Sequence, residues 1–259
     1  MTADVLIDRN RAYWTRRAQG YSQVNRRELR NARQRLAWQR ELCGTLDAHF
    51  AGRARPSVRV LDAGTGPGFF AMLLAEAGYR VTAVDLTPAM LDEARCNAGP
   101  MAERIAFAVM DAEHLSFADA SFDAVVSRNL TWNLPAPQRA YCEWNRVLVP
   151  GGMLINYDAN WYRYLFDPAA RTAWDADRRR STDLGAEDDN VGDGFDAMEQ
   201  IAREVPLSRA SRPDWDLSVL VGCGMEVSCD TEVWKRVWTR DEKICMASTP
   251  LFRVTAVKR

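Results

Sequence analysis

The sequence predicts an α/β fold, a mostly parallel sheet with helices on both faces, and three observations carry that prediction. From residue 58 onward, short β-branched or apolar runs alternate with helical stretches. Each parallel crossover needs a helix to bury it, so this alternation implies parallel strands rather than hairpins. The first run continues into Val60-Leu61-Asp62-Ala63-Gly64-Thr65-Gly66-Pro67-Gly68-Phe69-Phe70, which reads as strand, glycine turn and helix. The glycine turn, Asp85, Asp111 and Asn129 all fall at predicted strand ends. In an open parallel sheet, ligands lie beyond the carboxyl ends of the strands, where strand order reverses.

Residues 1–21 hold Tyr13, Trp14 and Tyr21 and read as an ordered arm. A helix is expected from Ser22, as N-cap, to Phe50, because Leu29, Leu36, Cys43 and Phe50 recur every seven residues. Residues 52–57 are a linker, and Val58–Asp62 is the first strand. Phe69–Ala77 is a helix stopped by Gly78, with Pro67 in its first turn. Tyr79–Asp85 is strand two, and Thr87-Pro88 opens a helix running to Asn97.

Ile105–Met110 is strand three, Phe122–Ser127 strand four, Pro137–Leu148 a helix, Pro150-Gly151-Gly152 a turn and Met153–Tyr157 strand five. Residues 158–212 break the rhythm and read as an insertion of irregular helices over the sheet's edge. A helix over 214–221 and strands over 225–230 and 251–257 close the chain. One domain is expected, divided into an arm and lid over 1–52, a core over 53–157, a lid insertion over 158–212 and closing elements over 213–259.

Composition narrows the function classes. The 259 residues hold 34 Lys plus Arg against 35 Asp plus Glu, a net charge of −1 that gives no electrostatic footprint for nucleic acid. No apolar run has the length to span a bilayer, and residues 1–10 lack the apolar core of a signal peptide, so a cytoplasmic location is expected. Six scattered cysteines without a C-x-x-C pair, and two histidines, read as free thiols with no metal centre. Asp188, Asn190 and Glu199 match positions of a calcium loop, but Asp193 stands where that loop requires glycine.

The glycine spacing selects a ligand for the crevice. Dinucleotide sites use G-x-G-x-x-G around a pyrophosphate, whereas this chain has Gly64-x-Gly66-x-Gly68 preceded by Asp62. A carboxylate beside the turn repels a pyrophosphate and suits an ammonium group, which weighs against a nicotinamide-dependent oxidoreductase.

At this point the chain resembles the class I S-adenosylmethionine-dependent methyltransferases, whose first motif is a strand ending in D-x-G-x-G-x-G. Residues 81–91 (Val-Thr-Ala-Val-Asp-Leu-Thr-Pro-Ala-Met-Leu) are similar to the second motif, and Met110-Asp111-Ala112-Glu113-His114 to the adenine loop. Residues 122–129 resemble the fourth motif and Arg146-Val147-Leu148-Val149-Pro150-Gly151-Gly152 the turn into strand five. Tyr13–Tyr21 matches the Y-W-x-x-R-A-x-G-Y-like arm of the small-molecule enzymes of ubiquinone and menaquinone biosynthesis.

The resemblance implies a Rossmann-like, doubly wound, seven-stranded sheet and S-adenosyl-L-methionine as cofactor. It implies Asp85 on the ribose hydroxyls, Leu86 packed on adenine and Asp111 at the adenine amine. Asp62, Gly64, Thr65, Gly66 and Gly68 would surround the amino-acid end, with Tyr13, Tyr21, Met90, Ala112, Glu113 and Asn129 completing the cofactor set.

Methyl transfer is an in-line displacement, so the protein chiefly aligns a nucleophile and excludes water. Asp158 is the most base-like candidate beyond the strands, with Asn129 and Tyr157 as polar orienting groups. Trp14, Trp132, Asn160 and Trp161 are the candidate substrate contacts. The expected function is methylation of a small molecule, the acceptor atom being undetermined. The alternative is a non-catalytic protein that binds the same cofactor.

Overall fold

The computed structural model describes residues 3–188 and 195–259, with no side-chain description at Ala3, Phe195 or Asp196. Asn190 and Asp193 of the calcium-loop pattern therefore lie outside the described residues. In chain order the elements are α1 (Ala3–Arg30), α2 (Ala32–His49), β1 (Arg59–Ala63), α3 (Phe69–Ala77), β2 (Arg80–Asp85), α4 (Pro88–Ala98), β3 (Ile105–Val109), β4 (Phe122–Arg128), α5 (Pro137–Val147), β5 (Leu148–Asp158), α6 (Pro168–Leu184), α7 (Phe195–Ala202), α8 (Asp214–Gly222), β6 (Met225–Asp230), α9 (Trp234–Val237), α10 (Arg240–Cys245) and β7 (Phe252–Lys258).

Seven strands form one sheet in the order β3-β2-β1-β4-β5-β7-β6. β3 through β5 are parallel, and β7 inserts antiparallel between β5 and β6. The chain winds outward from β1 in one direction and then, from β4, in the other, so the strand ends part between β1 and β4. The sheet is buried on both faces. Alternate residues of β1, β4 and β5 enter two separate clusters: Val60, Val126 and Ile155 pack with α2 and α3, while Leu61, Val125 and Leu154 pack with α5 and α8.

The N-terminal segment departs from the sequence reading. The arm is helical from Ala3, and Ser22 is no cap: it is buried within α1, its hydroxyl bonded to Asn97. The chain breaks at Asn31 instead, whose side chain accepts from Gln34 N at 3.2 Å and caps α2. That break shifts the helical phase. Leu36, on the predicted stripe, is 44% exposed, and α2 buries Trp38, Leu42 and Leu46 in its place.

Two further differences concern β5 and the insertion. The expected turn at Pro150-Gly151-Gly152 is part of β5, accommodated by Gly151 at φ +74 and a register shift opposite Phe122–Ala124. The insertion holds the regular helices α6 and α7, the first capped by Asp167, which accepts from the amides of Ala169 and Ala170. Leu6 and Tyr13 of α1 pack with Met198 and Ile201 of α7, so α1 and the insertion close over the strand ends together.

Trp38 is fully buried against Phe69, Phe70 and Tyr157. Trp38→Ala should lower unfolding stability by about 3–5 kcal/mol, the usual cost of deleting a buried aromatic; denaturant titration measures it.

Candidate active site

The glycine turn after β1 is shaped by close contacts. Gly64 has φ +68, which strains any other residue, and a Cβ there would stand 2.6 Å from Leu130 Cδ2 and displace that side chain. Asp85, at the end of β2, accepts from Gly66 N and from Thr87 N, both at 2.9 Å, one on each oxygen. That carboxylate clasps the turn to its own strand. Each oxygen keeps further acceptor capacity toward the cavity, as ribose hydroxyls require.

Asp62 sits deeper, almost fully buried, and accepts from Thr65 Oγ1 at 2.6 Å. Burial pushes its carboxyl up to about 7, against the Thr65 and Ala71 hydrogen bonds that favour the charged form, and neighbouring Asp85 adds to the rise. Burial likewise lifts Asp85 to about 6, against the amides of Thr87 and Gly66. Two buried acids suit a ligand that brings an ammonium group and hydroxyls.

Asp111 and Glu113 brace the loop that follows β3. Asp111 accepts from Glu113 N at 2.9 Å and faces His114 Nδ1 at 3.0 Å, and Glu113 accepts from Ala136 N at 2.6 Å, tying the loop to the start of α5. Burial raises the Glu113 carboxyl. Ligand atoms of Asp111, Glu113 and His114 lie within 4.8 Å of one another, but these bonds bind the first two into their own loop rather than presenting them to an ion.

Two cavities adjoin over the strand ends. The first, about 110 Å³, is lined by Asp62, Gly64, Thr65, Gly66, Asp85, Leu86, Met90, Asp111, Ala112 and Glu113. The second, about 230 Å³, is an aromatic chamber lined by Tyr13, Trp14 and Tyr21 from α1, Trp132, the insertion's Trp161, Tyr162, Tyr164 and Trp174, and Trp238. Trp14, Tyr21, Asn25, Arg128 and Asn129 line both.

Asn129 is held at this shared wall in the left-handed region, φ +55. Its amide donates to Tyr157 O at 2.9 Å, and its carbonyl accepts from Trp132 Nε1 at 3.0 Å. Its Oδ1 is buried with no partner. Burial raises the pKa of the Tyr21 hydroxyl, against the nearby Arg128 charge, which lowers it.

Five sequence expectations fail on geometry, the first being Tyr13, expected in the cofactor set, which lines only the aromatic chamber. Asp158 is fully buried and lines neither cavity; its two oxygens take five bonds, from Thr131 Oγ1, Trp132 N, Arg212 Nη1, Ala159 N and Trp161 Nε1. No lone pair is left for a substrate proton, so it is an anchor and not a base. Tyr157 points into the core between Trp38 and Phe70 because alternation along β5 turns it away from the crevice. Asn160 grips the backbone of Arg212 through both side-chain atoms and lines neither cavity. Gly68 faces Ala94, where a Cβ would stand 3.1 Å from its Cβ, so it serves helix packing and not ligand contact.

Sequence reasoning missed Ile7, Asn10, Arg17, Asn25 and Glu28 as lining residues. The signal was present: 7, 10, 14, 17, 21, 25 and 28 follow the three-to-four spacing of one helical face. Tyr162, Tyr164 and Trp174 are brought to the chamber by the tertiary packing of the insertion, and Trp238 by that of the segment after α9.

Comparison with known proteins agrees with this geometry. Residues 61–156 match the family model described as "Methyltransferase domain". Over 141 residues the chain is 38% identical to a malonyl-[acyl-carrier protein] O-methyltransferase of Geobacter sulfurreducens, covering 50% of this chain and 52% of that protein. Over 99 residues it is 43% identical to a demethylmenaquinone methyltransferase of Deinococcus radiodurans, covering 38% and 41%. The chain thus spans about half the length of the curated relatives it matches. A solved structure of Haemonchus contortus phosphoethanolamine N-methyltransferase 2 in complex with S-adenosyl-L-methionine superposes with a TM-score of 0.54 at 18% identity, over 83% of this chain and 51% of that one, which shows a shared fold.

Three outcomes test the site. Asp85→Ala should weaken S-adenosylmethionine binding on the order of a hundredfold in calorimetry while the circular dichroism spectrum is retained. Because the folded-state pKa of Asp62 is raised, its contribution to stability is present below the unfolded value near 4 and is lost as pH rises to about 7. Cofactor affinity should run the opposite way, strengthening up to about fiftyfold between pH 5 and 7 as the carboxylate forms, and a flat calorimetric profile contradicts this role. Asp158→Ala should destabilise the fold by about 3–5 kcal/mol in denaturant titration, because it leaves the buried donors of Arg212 Nη1, Thr131, Trp132, Ala159 and Trp161 without their acceptor.

Proposed function

We propose that this chain, whose residues 61–156 form a class I S-adenosylmethionine-dependent methyltransferase domain, methylates a small molecule held in the aromatic chamber. The observation that carries the proposal is the shared wall: the cofactor cavity and the chamber meet at Trp14, Tyr21, Asn25, Arg128 and Asn129.

The residues present fit S-adenosylmethionine. Asp85 keeps acceptor capacity for two hydroxyls, Asp62 is a buried acid suited to an ammonium, and Gly64 holds a positive φ that strains any other residue. When bound, the cofactor supplies an electrophilic methyl group. The protein's part is to align the acceptor, exclude water and stabilise positive charge.

Trp14 and Tyr21 present aromatic faces on the wall where a cation is to be accommodated, their ring centroids 5.4 Å apart. α1 and the insertion shield the chamber from solvent through the packing of Tyr13 and Trp132 with Met198 and Ile201. Asn129 Oδ1, buried without a partner at the junction, is placed to accept a hydrogen bond from the acceptor. With Asp158 fully bonded, the chamber carboxylate beside the shared wall is Glu28, and it is ion-paired to Arg128. This favours a nucleophile that attacks without a strong base, such as a thiolate or a neutral amine.

The balanced charge supports an acceptor other than nucleic acid, and among the described residues no helix is long and apolar enough to cross a membrane. A cytoplasmic location belongs to the same proposal.

The test is a methyl-transfer screen with radiolabelled S-adenosylmethionine across thiols, amines, phenols and quinol precursors. Label should appear in a small molecule. Removal of residues 1–21 should abolish transfer by taking away Trp14 and Tyr21, with a smaller effect on thermal stability. Full activity in the truncated protein contradicts the role given to α1.

A further inference from the structure

One side chain at the shared wall has an unmet bonding demand. Arg128 closes β4, and its guanidinium lies against Trp38 and Phe69, with Cζ 4.7 and 4.3 Å from the two ring centroids. One amino group, Nη2, donates to Glu28 Oε1 at 2.5 Å. The other, Nη1, is buried and has no hydrogen-bond partner. A guanidinium does not shed its proton in a protein, and a buried N–H without an acceptor is costly. An oxygen from a ligand would meet that demand.

The strand register shows which part of a ligand is near. Asp62 of β1 pairs with Val126 of β4. Arg128 stands two residues beyond Val126, so it projects from the same face of the sheet as Asp62, at the adjoining strand end. Both residues line the first cavity. A carboxylate and a guanidinium therefore flank one end of the cleft, with signs complementary to the ammonium and carboxylate of an amino acid. The aromatic rings and Glu28 fix the direction of the guanidinium, and a lysine's point charge would not reproduce that fork.

We infer that Arg128 is a carboxylate-binding residue, and that with Asp62 it recognises the amino-acid end of the bound cofactor, ammonium on Asp62 and carboxylate on Arg128 Nη1. The inference rests on the cofactor reading above. Because Arg128 also lines the aromatic chamber, a carboxylate on the methyl acceptor offers the same chemistry from the other side.

Calorimetry on the full chain separates the two sources. S-adenosylmethionine and its decarboxylated analogue are titrated into the wild type, Arg128→Lys and the double variant Arg128→Met/Glu28→Gln, which removes both charges so that neither is stranded. The wild type should prefer the intact cofactor at least about tenfold, and the double variant should bind the two equally, with the analogue's affinity unchanged. Arg128→Lys retains the charge and should show a reduced preference, so the inference stays testable if the double variant fails to fold.

A second arm uses benzoate and benzyl alcohol as chamber probes in saturating S-adenosylhomocysteine. Preference for benzoate that disappears in the variants, with cofactor discrimination intact, assigns the carboxylate to the acceptor. Undiminished discrimination against the decarboxylated analogue together with no carboxylate preference in the second arm overturns the inference. Failure of the wild type to bind either nucleoside overturns the cofactor reading itself.

Discussion

The hydrogen bonds from Gly66 N and Thr87 N to the Asp85 carboxylate are the contact on which the site depends. They fasten the turn that follows β1 to the end of β2, and they aim two acceptor oxygens into the cleft between them. The strand order makes that cleft available, because β1 and β4 lead in opposite directions and leave their carboxyl ends uncovered by crossovers. α1 and the insertion then roof the opening, and the aromatic chamber forms beneath them.

A second, purely structural constraint holds the roof. Arg212, fully buried, bridges Asp158 at 2.8 Å to Asp216 at 2.7 Å, and Tyr141 donates to the same Asp216. Asp158 ends β5, where the insertion begins, and Arg212 stands at the insertion's end, so the cluster pins both feet of the insertion to one point. Asp216 brings the start of α8 to the same place. Removing one member leaves the others charged in a low dielectric, which is why a residue at the expected position of a base is committed to architecture.

The parts that sequence made legible are those set by local pattern. β-branched runs give β1 through β4, and acidic residues that interrupt those runs mark strand ends, so Asp62, Asp85 and Asp111 could be placed together before any contact was known. The start of α1 was hidden because Ser22 looks like a cap, yet it is absorbed within a helix that α4 and α7 pack against. β5 was shortened because Pro150-Gly151-Gly152 has turn composition, although a bulge carries it through the sheet. The role of Asp158 depended on Arg212, fifty-four residues away in the chain, and that of Arg128 on rings from α2 and α3. Neither partnership leaves a periodic trace.

The central claim is that the cofactor's reacting end meets the aromatic chamber at the wall formed by Tyr21, Arg128 and Asn129. A crystal structure of the complex with S-adenosylhomocysteine measures this directly. The account predicts the ribose on Asp85 and the thioether sulfur at that wall, facing the chamber across Trp14 and Tyr21. A sulfur turned away from the chamber, or a nucleoside bound outside the cleft between Asp62 and Asp111, would contradict it.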